Sequence, residues 1–187
     1  MPRRLLGDIL LISDWTRDDS AAEARLEKIE KAIDVLGQLD ERRLIRLALV
    51  DKLRIVISEA PGPYYDAGAN ICVLPTAMVV DWSPVLIALV VVHEATHARI
   101  HRAGIRYKPA LRERIERRCV REQMAVAALA PDGERLVAWL EQTHAESWYT
   151  EPQMRRRQLE ELRLIGVPRW VITVLRALVD PNASTVP

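Results

Sequence analysis

The spacing of hydrophobic residues in the first 52 residues predicts a helical scaffold that follows a short apolar segment. Residues 1–15 contain the runs Leu-Leu and Ile-Leu-Leu-Ile, a pattern typical of a strand or of a docking arm. Residues 21–39 repeat large apolar side chains at steps of three and four, just after two acidic residues that suit a helix start. A second helix is expected to begin at Asp40, with Leu44 and Leu47 on one side.

The next part of the chain predicts two strands joined by a loop. Residues 53–58 are rich in β-branched side chains, and residues 71–74 form a short apolar run that Pro75 closes. Residues 61–70 lie between them and are rich in Pro, Gly and Asn, a composition typical of a loop. We therefore expect a small antiparallel sheet.

A longer apolar run, residues 85–92, predicts a buried helix. Ser83 suits the N-cap of this helix, and Pro84 suits its first position. Residues 71–92 are apolar enough to suggest a membrane span, but Pro75 and Pro84 divide them into pieces too short to cross a bilayer. We expect a strand, a turn and a buried helix, and no transmembrane segment.

Downstream, apolar residues at helical spacing predict four more helices: 109–130, 134–149, 151–165 and 169–179. The expected fold class is therefore α+β, mostly helical with a small antiparallel sheet. The length of 187 residues suits one domain over 1–187. We divide it into an N-terminal scaffold (1–52), a core (53–130) and a helical C-terminal segment (131–187).

Composition and charge exclude several classes of protein. Hydrophobic residues make up 49% of the chain and charged residues 28%, as in soluble globular proteins. The net charge is +1, so no global attraction to nucleic acid is expected. Residues 99–121 hold nine basic side chains against two acidic ones, but no nucleic-acid motif accompanies them, and we interpret this strip as a solvated helix face. The oligomeric state is not indicated.

The two cysteines, Cys72 and Cys119, are too few for a disulfide framework. With no signal peptide evident at the N-terminus, we expect a reducing, cytoplasmic location. Cys119 is interpreted as a buried and inert thiol.

The apolar helix ends in the motif His-Glu-x-x-His at residues 93–97. Residues four apart share a helix face, so His93 and His97 can direct their imidazoles to one point. Glu94 lies on the flank of that face, where its carboxylate can take a proton from a metal-bound water. The alternative is two exposed histidines on an amphipathic helix, and the preceding apolar run argues against it because buried imidazoles need partners.

A third metal ligand is expected from the helix at 109–130. The sequence offers Glu113, Glu116 and Glu122 there. Glu116 belongs to a partly apolar stripe with Cys119, whereas Glu122 is also flanked by apolar residues at helical spacing. The pattern alone leaves these carboxylates open, since each can also be a solvated partner of a neighbouring arginine.

The motif, followed by Ile-Glu-x-x-Cys-Val at residues 115–120, resembles the gluzincin group of zinc metallopeptidases and in particular its short bacterial members, the minigluzincins. The metzincin group is excluded because Ile100 and Ala103 stand where it has Gly and His. The resemblance covers residues 54–130 and implies a zincin-like domain with an active-site helix, Zn²⁺ as cofactor, and Glu116 as third ligand. It also implies peptide-bond hydrolysis of a peptide or protein substrate.

In the zinc peptidases that this chain resembles, an edge strand beside the cleft pairs with substrate backbone. Asn70 and Val73, in the segment 70–74, are the candidate substrate-binding residues. The oxyanion of the reaction needs a donor besides zinc. Tyr107 is taken for this role, with His144 and Tyr149 as alternatives.

Other functions stay open at this stage. The chain can be a catalytically silent zinc-bound regulatory or binding module, or a metallohydrolase acting on a small-molecule amide. A helical interaction protein without a metal is the remaining alternative.

Overall fold

The computed structural model describes residues 3–6, 9–13, 19–48, 54–145, 159, 163 and 166–179. The chain divides into two compact units, Met1–Ala145 and Glu146–Pro187, and each is described by itself. Every candidate site residue that the structure describes belongs to the first unit. The assignment of 1–187 to one domain stays a prediction.

The first unit contains a sheet of five strands: β1 Arg3–Leu6, β2 Ile9–Ser13, β3 Arg54–Ser58, β4 Tyr64–Asp66 and β5 Ile71–Pro75. Their order across the sheet is β1-β2-β3-β5-β4. The central pairs β2–β3 and β3–β5 are parallel, whereas the outer pairs β1–β2 and β4–β5 are antiparallel. The apolar N-terminal segment is therefore a pair of strands that extends the sheet.

The α+β class is confirmed, but the sheet is mixed and not antiparallel as expected. The reason lies in the predicted loop 61–70, which contains strand β4. The chain reverses once before β4 and again between β4 and β5, so β5 runs in the same direction as β3. A three-residue strand within a Pro- and Gly-rich segment carries too little periodicity to be recognised.

The second reversal is a tight turn held by side-chain hydrogen bonds. Asp66 Oδ1 accepts hydrogen bonds from the backbone N–H groups of Gly68 and Ala69, at 2.8 and 3.1 Å. Asn70 adopts a left-handed conformation with φ of 53°, which Asn tolerates better than most residues. The Tyr65 hydroxyl donates to Asn70 Oδ1 at 2.9 Å and ties the strand to the turn.

Seven helices have defined bounds in the described residues: α1 Asp19–Leu39, α2 Glu41–Ala48, α3 Thr76–Asp81, α4 Pro84–Arg102, α5 Pro109–Ala127, α6 Gly133–Ala145 and α7 Arg169–Val179. All but α3 agree with a predicted helix to within a few residues at the described ends. The predicted turn contains α3 instead. The predicted helix 151–165 lies almost entirely outside the described residues. Helix α7 belongs to the second unit, where Ile172 is buried and Trp170 is exposed.

Helix α4 is the central element of the first unit. Its N-cap is Ser83, whose Oγ accepts a hydrogen bond from the N–H of Leu86 at 3.4 Å. Its exit passes through Gly104 with φ of 81°, a conformation that favours glycine. The helix packs against α1 and α5 and contacts β4 and β5. Residues 87–96 are buried on all sides, as the apolar run predicted.

In the part of the chain that the structure describes, no helix combines the length and the apolar character that crossing a membrane requires. The largest fully buried side chains of the first unit come from α1, α4, α6 and the three central strands.

An ion-pair network around the buried Glu122 joins the start of α2 to α5. Arg43 Nε donates to Glu122 Oε2 at 3.1 Å, and Arg118 Nη2 lies 2.5 Å from Glu122 Oε1. Arg43 also contacts the carboxylate of Asp40, which accepts a hydrogen bond from the Arg43 backbone N–H at 3.1 Å as an N-cap does. Because Glu122 is only 7% exposed, its charge needs these partners.

We expect Arg43→Ala to lower the free energy of unfolding by about 1–3 kcal/mol, because it leaves the buried Glu122 with one guanidinium fewer. Urea denaturation measures this change. Arg42→Ala, an exposed neighbour, is the control and is expected to change stability by less than about 0.5 kcal/mol. Equal losses in the two variants would mean that the network does not stabilise the fold.

Candidate metal centre

Helix α4 presents His93 and His97 on one face, one turn apart. Their ring centroids are 5.1 Å apart. His93 is 6% exposed, and the side chain of His97 is 12% exposed. The two imidazoles therefore lie side by side on one helix face, as the spacing of the motif predicted. Their access to water is limited.

Helix α5 packs along α4 and brings Glu116 to the two imidazoles. Glu116 Oε2 lies 3.3 Å from His93 Nε2 and 3.5 Å from His97 Nε2. Two atoms that each lie about 2.0–2.1 Å from one tetrahedral zinc ion are separated by about 3.3–3.4 Å. Charge-assisted N–H···O bonds are shorter, about 2.7–2.9 Å. The three atoms are therefore spaced as ligands of a shared ion would be.

The second ring nitrogen of His93 has a hydrogen-bond partner. His93 Nδ1 donates to Gln123 Oε1 at 3.3 Å, since the amide oxygen only accepts. In the neutral imidazole this leaves the lone pair of Nε2 facing the Glu116 carboxylate. Two electron pairs in a buried site repel, so the arrangement requires a cation, either a proton or a metal ion, between them. The donor set thus fits a divalent metal.

The pKa values of the pair follow from the same geometry. Burial raises the pKa of Glu116, but hydrogen bonds from His93 and His97 and their charges outweigh it and hold that pKa well below its usual range. Burial lowers the pKa of His93, whereas the hydrogen bond to Glu116 and the charges of Glu94 and Glu116 raise it, with a net rise. A proton on His93 therefore competes with a metal ion for this site.

Tyr107, on the segment between α4 and α5, orients Glu116. Its hydroxyl donates to Glu116 Oε1 at 2.5 Å, which leaves Oε2 directed at both histidines. The Tyr107 ring also makes an edge contact with His97, at 5.7 Å between centroids. Burial, together with the bond to Glu116, raises the pKa of the phenol, so the hydroxyl keeps its proton. The hydroxyl has one proton, and it donates this proton to Glu116. The geometry therefore does not support Tyr107 as donor to an oxyanion.

Glu94, the residue after His93 on α4, is buried as well, at 4% exposure. Its charge contributes to the raised pKa of His93 and to the raised pKa of Cys119. A carboxylate adjacent to the histidine pair, and shielded from bulk water, is what the motif predicted.

Cys119, interpreted from the sequence as a buried and inert thiol, also lies close to the two histidines. Its Sγ and one ligand nitrogen each of His93 and His97 all lie within 4.8 Å of one another. Burial, followed by the charges of Glu116 and Glu94, raises the pKa of its thiol. The available signal was its spacing of three residues from Glu116, which puts both on one face of α5. The two histidines can therefore be combined with either of two donors from α5. One set is His93, His97 and Glu116, and the other is His93, His97 and Cys119.

His144, on α6, lies beside His93. Their rings are nearly parallel, with 6.3 Å between centroids and 9° between planes. Burial lowers the pKa of His144, and the charge of His93 lowers it further. Tyr149, the other alternative oxyanion donor, lies outside the described residues.

The other two carboxylates of α5 point elsewhere. Glu122 is held by Arg43 and Arg118 in the network described above. Glu113 is exposed, and its carboxylate lies 2.5 Å from Arg117. Of the three glutamates, the structure brings only Glu116 to the two histidines.

The expectation that the segment 70–74 forms a free sheet edge is wrong. Val73 pairs with Val56 of β3 on one side and with Tyr64 of β4 on the other. Asn70 lies in the turn and accepts a hydrogen bond from Tyr65. A strand bonded on both sides has no backbone groups left to pair with a substrate. The pairing of β5 therefore gives no support to Asn70 and Val73 as substrate-binding residues.

Comparisons with known protein families, with curated proteins and with solved structures gave no match to this chain.

We expect Glu116→Gln to weaken zinc binding by more than about 100-fold, because it removes a charged donor of the centre. Glu122→Gln is the matched control, since it changes the same type of side chain six residues further along α5 and should leave zinc affinity within about threefold. Competition with a chromogenic chelator measures both affinities. A larger loss in the Glu122 variant would overturn the assignment of the α5 carboxylate.

Gln123→Met is expected to weaken zinc binding by about 10–100-fold while preserving the fold. Methionine keeps the volume of the side chain but cannot accept the proton of His93 Nδ1, so the imidazole loses its fixed orientation. Isothermal titration with zinc, alongside circular dichroism, measures both properties. An unchanged affinity would show that this hydrogen bond does not orient the histidine.

Proposed function

We propose that this protein is a zinc-dependent metallopeptidase of the gluzincin type, whose metal is held by His93, His97 and Glu116. One observation carries the proposal: the Nε2 atoms of the two histidines lie 3.3 and 3.5 Å from one buried carboxylate oxygen, and Glu94, the residue after His93, is buried as well. Zinc accepts this set of nitrogen and oxygen donors and leaves one tetrahedral position for water.

When bound, zinc would supply a Lewis acid that brings the pKa of a water molecule toward neutrality and polarises a substrate carbonyl. The side chains of the protein carry out the proton transfers. Glu94 accepts the proton of the attacking water and returns it to the leaving amine. Its burial supports this role, because little bulk water can reach the carboxylate in place of the attacking water.

The support for a peptide substrate is the position of β4. This strand lies at the end of the sheet order, and the side of it that faces away from β5 pairs with no other described strand. Helix α4 packs against β4, and the Tyr65 ring lies 6.1 Å from the ring of His101, one turn beyond His97. An extended peptide added to this edge would pass the histidine pair with its backbone hydrogen-bonded to the protein.

His144 is the residue that we assign as donor to the oxyanion. It flanks His93, and its lowered pKa favours the neutral imidazole, which carries one N–H donor. Tyr107 acts as a positioning residue through Glu116. We place the activity in the cytoplasm, with which the two free buried cysteines are compatible. The partner is a peptide or protein substrate and not a nucleic acid.

The test is peptide cleavage by the zinc-loaded protein and its Glu94→Gln variant. The wild type should cleave members of an unbiased peptide library, and the variant should lose at least about 100-fold in kcat/KM while it keeps one zinc ion. Glu113→Gln, an exposed glutamate on α5, is the control and should retain activity. Removal of zinc by a chelator should abolish cleavage, and zinc should restore it. Zinc binding without cleavage of any peptide would refute the peptidase.

A second candidate function is a zinc-bound regulatory or binding module without catalysis. The observation that favours it is Cys119, which lies close enough to the histidines to take the position that a peptidase leaves to water. In the peptidase a water molecule would take the fourth position on zinc, whereas in the binding module Cys119 would take it.

A further inference from the structure

Cys119 offers the histidine pair a second possible donor from α5. Glu116 and Cys119 are three residues apart on α5, and both approach the same pair of histidines on α4. In a tetrahedral zinc site with bonds of about 2.3 Å to sulfur and about 2.0–2.1 Å to nitrogen, the sulfur and nitrogen atoms are about 3.5–3.6 Å apart. Sγ and the two ligand nitrogens lie within 4.8 Å of one another, so ligation would shorten each sulfur–nitrogen separation by no more than about 1.3 Å.

We propose that the centre has four protein donors, His93, His97, Glu116 and Cys119, and that the Cys119 thiolate competes with water for the fourth position on zinc. This inference rests on the proposed zinc site. In the ligation step the S–H bond breaks, the sulfur–metal bond forms, and the proton passes to solvent. Neutral imidazoles, one carboxylate and one thiolate balance the charge of a divalent ion in a buried site.

The consequence is a centre with a closed and an open form. With the thiolate bound, the ion has four protein ligands, the coordination of structural zinc sites. When Cys119 leaves, the position is open to water, as catalytic sites require. The side chain is fully buried, so it reaches the metal from within the fold and not from the solvent side. The buried thiol would thus control whether the centre is active.

Cys72 provides a matched comparison within the same chain. It is also a free and fully buried cysteine, and the charge of Glu94 also raises the pKa of its thiol. It lies on β5, however, and does not belong to the group of close metal-binding atoms found in the described residues. Any effect of generic thiol burial should appear equally at both cysteines, whereas ligation should appear only at Cys119.

The experiment is a cobalt titration of the full chain after metal removal, under reducing and anaerobic conditions. Co²⁺ reports a thiolate ligand by a sulfur-to-metal charge-transfer band in the near ultraviolet, and tetrahedral coordination by bands in the visible. We expect the charge-transfer band in the wild type and in Cys72→Ser, and its loss in Cys119→Ser. Zinc affinity should fall by at least about tenfold in Cys119→Ser. Circular dichroism checks the fold, and Cys119→Ala serves as a second variant.

Each outcome decides between the two proposals. Visible cobalt bands without a charge-transfer band in the wild type would overturn the ligation of Cys119 and leave the zinc site standing. A charge-transfer band that survives in both Cys119 variants would also overturn it. Failure of the wild type to bind cobalt or zinc would refute the proposed function itself. If the Cys119 variants do not fold, the spectra of the wild type and of Cys72→Ser still decide the question.

Discussion

The arrangement of this centre depends on one electrostatic constraint: a nearly inaccessible carboxylate faces two imidazole nitrogens. Glu116 is 2% exposed, and water cannot compensate its charge. The distances from Oε2 to the two nitrogens are longer than those of strong charged hydrogen bonds and match the separation of two ligands on one ion. A cation between these groups would relieve the repulsion of their lone pairs, and the remaining polar contacts of the site hold the three side chains in this arrangement.

Those contacts belong to separate parts of the chain. Gln123 accepts from the far nitrogen of His93 and thereby selects the tautomer that directs Nε2 at Glu116. Tyr107 occupies one oxygen of Glu116 and leaves the other to the histidines. The Arg43–Glu122 contact joins α2 to α5 one to two turns beyond Glu116, so the helix that carries the carboxylate is also anchored at its other face. Rotation or translation of α5 would break all of these contacts together.

The mixed sheet determines which strand lies at the edge beside the histidine helix. Two reversals between β3 and β5 place β4 on the outside of the sheet and β5 within it. The strand next to the histidine helix is therefore short, partly exposed and unpaired on one side among the described strands, while the longer apolar strand contributes to the core. A peptide bound to β4 would gain backbone hydrogen bonds without a strong demand on its sequence.

The sequence by itself determined the elements whose pattern is local. The apolar run with its Ser-Pro start and Gly exit identified α4, and the spacing of His93 and His97 placed both on one face, because helical periodicity alone decides this. The helices α1, α5 and α7 were also recognisable from apolar spacing. The α+β class followed from the presence of both periodicities in one chain.

Only the tertiary structure decided what depends on distant contacts. Glu113, Glu116 and Glu122 have similar local surroundings in the sequence, and the packing of α5 on α4 directs one of them to the histidines, while Arg43, 79 residues away, holds another. Tertiary packing also decides three further contacts: Cys119 lies close to the histidines, β5 pairs on both sides, and Tyr107 donates to Glu116. The spacing of neighbouring residues determines which face of a helix or strand a side chain occupies. The residues that pack against that face come from distant parts of the chain, and local spacing carries no information about them.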